Sequence, residues 1–259
     1  MSTLDHDVTL TAARAALLCS IMAVGAGCAA VTGARQRPPE QTPGQVLPPT
    51  VADTLAAAER EAGWRPLFDG QTLGGWRSLR SDAPPTGWRA VDGTLVREGM
   101  GGDIVSVDEF GNFELTLEWK VAPGGNSGIF YRVAEGAGPT YETGPEMQVL
   151  DDERHPDGRS RLTSAGSLYG LYPAPAGVVK PAGEWNAARI VVNGNHVEHW
   201  LNGVKTVEAE IGSDDWNQRV ANSKFHQWPG FGKASRGHIA LQDHGDWVAY
   251  RNIRIRVLP

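Results

Sequence analysis

The sequence predicts an all-β fold, a sandwich or jelly roll of mainly antiparallel strands. Three observations predict it. Beyond Trp64 apolar residues recur at every second position, the spacing of strands with one face turned inward. Short alternating runs are punctuated by Gly, Asn and Asp, the residues that form hairpin turns. No long helical period interrupts them, so the crossover helices that parallel strands need are missing.

The chain opens with Arg14 followed by an apolar run, Ala15 to Ala26, too short to span a bilayer. Small residues, Gly25-Ala26-Gly27, then precede Cys28, the pattern of a secretory leader and its processing site. The cysteine resembles the lipidated residue of a bacterial lipobox, although Gly25 stands where such motifs carry Leu and Asp5 and Asp7 make the leader weakly basic; an ordinary cleaved signal is the alternative. Pro38, Pro39, Pro43, Pro48 and Pro49 then hold a stretch with little apolar content extended. Residues 1–28 are therefore expected to be a leader ending at a lipid-bearing Cys28. Residues 29–62 form a tether whose last part, Val51 to Ala62, is a short helix. Residues 63–259 form one folded domain in the cell envelope, attached to the membrane by its lipid alone.

Within the domain, Trp88-Arg89-Ala90-Val91 and Thr94-Leu95-Val96 flank Asp92-Gly93, a hairpin signal. Phe113 to Val121, Gly128 to Val133 and Glu146 to Leu150 alternate, followed by Ala188 to Val192 and His196 to Leu201. Gly237 to Leu241 and Trp247 to Val257 complete the set, with Asn193-Gly194 and Asn202-Gly203 as further turns.

Composition narrows the function. The net charge of −6 gives no basic patch to hold nucleic acid, and no basic stripe with interleaved aromatics occurs. The only cysteines are Cys19 and Cys28, so the folded domain has no thiol nucleophile and no disulfide. The HExxH helix, the P-loop, GxSxG and the Rossmann glycines are all missing.

What remains is a set of polar positions on predicted strands and loops. In Glu146-Met147-Gln148-Val149 the acid and the amide share one face and the apolar pair the other. That suggests a polar cleft over an apolar core; a solvated outer face fits equally well. The glycines of Gly124-Gly125-Asn126-Ser127-Gly128 allow a close approach to a ligand. Alternation sets Asn126 and Arg132 on one face, where the Arg fork suits a carboxylate or a polarised carbonyl, or else makes a structural ion pair at a bulge. Asp151 and His155 follow β-strand residues 146–150, His155 being a proton carrier near neutral pH. Carboxylates with a His leave a divalent cation open as a cofactor, though no spacing demands one. Tyr169 and Tyr172 could floor a sugar subsite or pack in the core. Lys180 is a candidate cationic contact, whereas Trp185 and His199 suit the core. Gln242 and His244 fall opposite Ile239 and Leu241, away from it.

Taken in order, GWRPLFDGQTLGGW (63–76), GNSGIFYR (125–132), EMQVLD (146–151), SLYGLYP (167–173), KPAGEWN (180–186), VEHWLNGVK (197–205), GHIALQDHG (237–245) and RNIRIR (251–256) resemble the 3-keto-disaccharide hydrolase family. The resemblance implies a concanavalin A-like jelly roll, exported members that are often lipoproteins, and action on glycosides already oxidised at C3. It also implies a chemistry: a base takes the C2 proton next to the ketone and the C1 substituent leaves, after which water can add. On that basis Glu146 or His155 is the base, and Arg132, or a divalent cation with it, faces the enolate oxygen. Gln148, Asn126 and Asp151 orient the sugar, with Tyr169 and Gln242 also in contact, and His244 or Lys180 serves the leaving group. A conventional glycosidase would instead use two carboxylates, which Glu146 and Asp151 could supply. A non-catalytic carbohydrate-binding module or a structural surface domain would use the same face without chemistry.

Overall fold

The computed structural model describes residues 55–136 and 138–259. The leader, Cys28 and most of the tether lie outside the described residues. Of the helix expected in 51–62, the described part is α1 (Ala57–Glu61).

Thirteen strands form two antiparallel sheets. The first sheet runs in the order β11 (Val204–Glu210), β10 (His196–Leu201), β9 (Asn186–Asn193), β6 (Phe113–Val121), β13 (Val248–Val257), β4 (Thr94–Arg97) and β3 (Trp88–Val91), with β1 (Arg65–Pro66) also on β13. The second runs β2 (Trp76–Ser78), β5 (Ile104–Phe110), β12 (Gly237–Leu241), β7 (Asn126–Val133) and β8 (Glu146–Leu150). This is the all-β sandwich the period-two pattern predicts. The strands β1, β2, β5 and β11 were not among those read from the sequence. Neither was α2 (Asp214–Ala221), whose N-cap Ser213 accepts from the Trp216 backbone N–H.

The sheets face each other across one core. Leu115, Leu117, Trp119, Ile190, Tyr250 and Ile255 of the first sheet meet Ile129, Tyr131, Met147, Val149, Ile239 and Leu241 of the second, all buried. His199 is fully buried in this core with its Nε2 3.1 Å from the Tyr131 hydroxyl, as expected. Trp185 is not a core residue: it is half-buried on the outside, with the Arg251 guanidinium 4.1 Å and the Lys120 ammonium 4.8 Å from its ring centre. The Asp92-Gly93 and Asn202-Gly203 turns both have two successive positive φ values, the geometry that matches the right-handed twist of a hairpin.

The second sheet is also covered on its outer side. Val105, Phe130, Val133 and Ala240 form a small cluster there beneath Leu79 and Tyr141, so β7 is buried along its whole length. Strand β7 carries a bulge: Phe130 pairs with Ala240, yet Val133 pairs with His238, three residues against two. Arg132 sits in it at φ +51°. The extra residue reverses the alternation, so Phe130 and Val133 both reach the outer cluster while Arg132 turns elsewhere.

Candidate active site

A cavity of about 260 Å³ opens on the outer face of the second sheet, lined by Asn126, Tyr141, Glu146, Gln148, Asp157, Tyr169, Lys224, Gln242 and His244. Its floor is built from strand residues whose apolar neighbours face the core. Glu146 and Gln148 alternate with Met147 and Val149 along β8, and Gln148 pairs across with Gly128 of β7. The Gln242 backbone N–H donates to the Gly128 carbonyl (3.0 Å), which places the end of β12 beside them. Six of the residues singled out from sequence therefore converge: Glu146, Gln148, Asn126, Tyr169, Gln242 and His244. The volume is near the lower limit of ligand pockets, about 300 Å³, and suits one sugar ring.

Glu146 is the most perturbed acid of the site. It is 7% exposed and no described residue donates a hydrogen bond to its carboxylate. Burial pushes its pKa up to about 8; Lys224 pulls downward, and Asp103 and Asp157 add to the rise. Gly128 makes the seat possible, since a Cβ there would lie 2.2 Å from Glu146 Oε1.

Around it the polar groups are held in place. Tyr169 donates its hydroxyl to Asp157 Oδ2 (3.2 Å), and burial, then the Asp157 charge, pushes the phenol up to about 12. Gln148 donates Nε2 to the Thr163 carbonyl (3.3 Å). Asn126 is buried with its Oδ1 unpartnered, a loss that a native interior rarely carries without a reason. Behind the end of β12, Asp103 accepts from Thr140 Oγ1 (2.5 Å) and from the Asp243 backbone N–H (2.9 Å). Asp243 in turn accepts from the Gly101 and Gly102 backbone and pairs with Arg97 (2.6 Å), which fixes the segment carrying Gln242 and His244. Burial raises the Asp103 carboxyl above its ordinary range.

His155 reaches the rim rather than the cavity lining. Its ring stands edge-on to His244 with centres 6.1 Å apart, and its Nδ1 accepts from the Asp157 backbone N–H (3.2 Å). Tyr172 packs into the core, as one reading had it, while Tyr169 packs against the core's edge and lines the cavity.

Three expected site residues lie elsewhere. The bulge aims Arg132 away, to the Gly111 carbonyl (3.1 Å), the Gly194 carbonyl (2.7 Å) and Asn112 Oδ1 (3.4 Å). It clamps the β5–β6 connection between the sheets to the β9–β10 turn of the first sheet, through carbonyls and an amide instead of an ion pair. Asp151 is buried and accepts from the Gly124 (2.6 Å) and Glu153 (3.1 Å) backbone, and with Lys180 it borders a separate hollow of about 310 Å³. Lys180 donates Nζ to the Trp185 carbonyl (2.9 Å). In the other direction, Tyr141, Asp157 and Lys224 line the cavity although sequence reasoning gave them no role there. They sit on loops and short 3₁₀ turns with no periodicity to set a facing direction; only the nearness of Asp157 to His155 gave a hint.

The cation left open by the sequence finds no cage in the cavity. Among the described residues, the three acid or His side chains close enough to share an ion are His196, Glu198 and Glu208 on the outer face of the first sheet. Lys205 already neutralises two of them, at 3.2 Å from Glu198 and 2.5 Å from Glu208.

Residues 63–256 match the 3-keto-alpha-glucoside-1,2-lyase-like domain. The chain belongs to this family. A 3-keto-disaccharide hydrolase of Bacteroides thetaiotaomicron is 35% identical to it over 238 residues, 80% of this chain and 82% of the relative. A Parabacteroides distasonis protein designated a glycosyl hydrolase superposes with a TM-score of 0.75 at 34% identity, over 80% of this chain and 99% of its own. A second protein of that organism and designation gives 0.62 at 30% identity, over 75% and 99%. The eight ordered motifs thus identified the family correctly, and the lyase-like domain spans every residue that lines the cavity.

Proposed function

We propose that this lyase-like domain cleaves 3-keto-glycosides by taking the proton from C2. The observation that carries the reading is Glu146: a buried carboxylate with no hydrogen bond, raised to about 8, at the floor of a polar cavity sized for one ring. A C2–H beside a ketone is a weak acid, and a base whose pKa lies near the working pH removes such a proton best. The family membership and the keto-disaccharide hydrolase among its relatives support the same substrate class.

The C2–H bond breaks and its proton passes to Glu146, while the electron pair moves into the C3 carbonyl to give an enolate. The carbonyl re-forms, a C1–C2 double bond appears and the C1 oxygen leaves, taking a proton from His244 at the rim. Water adding across that double bond completes a net hydrolysis; release before addition makes the enzyme a lyase. Asn126, Gln148 and Gln242 hold the ring hydroxyls.

The glycosidase pair read from the sequence, Glu146 with Asp151, does not meet in the cavity, because Asp151 is spent on backbone N–H groups bordering another hollow. Asp157 is the second carboxylate of the cavity, and the unoxidised parent glycoside tests that pair. The test is incubation with a 3-keto-glucoside and with its unoxidised parent, followed by NMR in D₂O. Release of aglycone from the keto form alone, with deuterium entering C2, is the expected result. Cleavage of both substrates points to an ordinary glycosidase, and binding without turnover to a carbohydrate-binding module. We further propose export with a lipid on Cys28, on the leader pattern alone; mass spectrometry of the mature N-terminus checks it, and an uncleaved Met1 start refutes it.

A further inference from the structure

We propose that Lys224 is the catalytic cation of the cavity, donating to the C3 oxygen as it becomes an enolate. The inference rests on the keto-glycoside reading above and fills the place left vacant by Arg132.

Loss of the C2 proton drives negative charge onto the ketone oxygen, and a fixed donor aimed at that point is the largest single source of catalysis in such sites. Lys224 is the one lysine or arginine among the residues lining the cavity. Glu146 and Asp157 line the cavity with it, yet among the described residues its ammonium makes no ion pair and no hydrogen bond. Aromatic faces hold it instead: Nζ lies 4.5 Å from the ring centre of Tyr169, 5.3 Å from that of Phe225 and 5.7 Å from that of Tyr141. A cation seated on π faces keeps its three N–H donors unspent, so an oxyanion arriving in the cavity need not displace a carboxylate to reach them.

The backbone beneath the lysine is fixed. Ser223 Oγ caps the 3₁₀ turn Lys224–Gln227 by accepting from the Phe225 N–H (3.1 Å). Phe225 is buried and stacks on Phe231 with centres 4.1 Å apart. Gly170, next to Tyr169, leaves just enough room for that ring, since a Cβ there would lie 3.2 Å from Phe225 Cε2. The turn that carries the lysine and the segment that carries Tyr169 are thereby packed against one another through Phe225. Lys224 also acts on Glu146, pulling its pKa downward, so base and cation share one small space on the two sides of the developing charge.

The experiment compares Lys224→Met, Lys224→Arg and Lys224→Ala with wild type in the full chain, using a 3-keto-glucoside in D₂O and reading C2 deuteration and aglycone release. Lys224 is an exposed residue, and melting curves verify that each variant folds. A missing charge donor of this kind typically lowers kcat by about 10²–10³-fold. That loss is expected in Lys224→Met with KM changed less than about threefold, with partial activity in Lys224→Arg and rescue of Lys224→Ala by methylamine. The pH at which kcat/KM reaches half its plateau should also move upward in Lys224→Met, as Glu146 loses a cation. Unchanged deuteration and release in Lys224→Met would overturn the role while leaving the substrate reading intact, as would a rise in KM alone. Failure of the wild-type enzyme to deuterate C2 would instead remove the substrate reading itself.

Discussion

Replacing Glu146 by Gln separates the chemistry of the site from its stability. A carboxyl whose pKa rises from 4.5 to about 8 on folding binds its proton more tightly in the native state than in the unfolded one. Below about pH 4.5 both states are protonated and the fold carries no penalty. Between about pH 4.5 and 8 the unfolded chain ionises while the native site resists, so stability falls, and above about pH 8 the loss is complete. At 1.36 kcal/mol per pKa unit the full effect is about 5 kcal/mol. Gln has nearly the same shape and no charge, so its stability relative to wild type should improve by about 5 kcal/mol between pH 4 and pH 9. In a domain of this size 1 kcal/mol moves Tm by about 2–4 °C, which gives a relative gain of about 10–20 °C. Paired melting curves of the two proteins in matched buffers measure it, because titrating groups that do not interact with Glu146 cancel in the difference. Turnover of the 3-keto-glucoside should vanish in the same variant. A Tm difference that stays constant across this pH range would show that Glu146 ionises normally in the fold, and the base assignment would lose its support.

Three further outcomes are expected. In wild type kcat/KM should rise with pH and level off above about 8, since the base must be ionised in the free enzyme; a plateau reached by pH 6 would contradict this. Gly128→Ala places a methyl in the Glu146 seat, so kcat should fall by about 10²-fold or more with little loss of fold, as misplacing a reacting group by an ångström does. Arg132→Met removes charged hydrogen bonds to two turns, each worth about 1.5–3 kcal/mol. Urea unfolding should show a loss of about 3–6 kcal/mol, with kcat/KM changed less than about threefold; a dead but stable variant would return Arg132 to the chemistry.

The fold was legible wherever period two was strong and turns were marked, as at Asp92-Gly93 and along Phe113 to Val121. Strand β5 escaped because its end, Val107-Asp108-Glu109, breaks the alternation by facing solvent. The floor of the site was legible for the same reason, since Glu146, Gln148 and Asn126 obey the pleat. Arg132 was misplaced by that very rule, because one residue at positive φ inverts every direction after it and nothing in GIFYRV signals the insertion. Asp151 and Lys180 were drawn in by charge and nearness in sequence, but backbone N–H and carbonyl groups claim them. Lys224 was invisible because it reaches the cavity from a turn far along the chain, and only packing of Phe225 brings it there.

The bulge in β7 has a bearing on how this protein can change over generations. It divides one strand into two stretches with separate duties, the first tied to the polar hollow and the second to the mechanical joining of the layers. Drift at the Arg132 end would wear on robustness without retuning selectivity, while Asn126 and Gly128 can be altered only at the expense of what the hollow accepts.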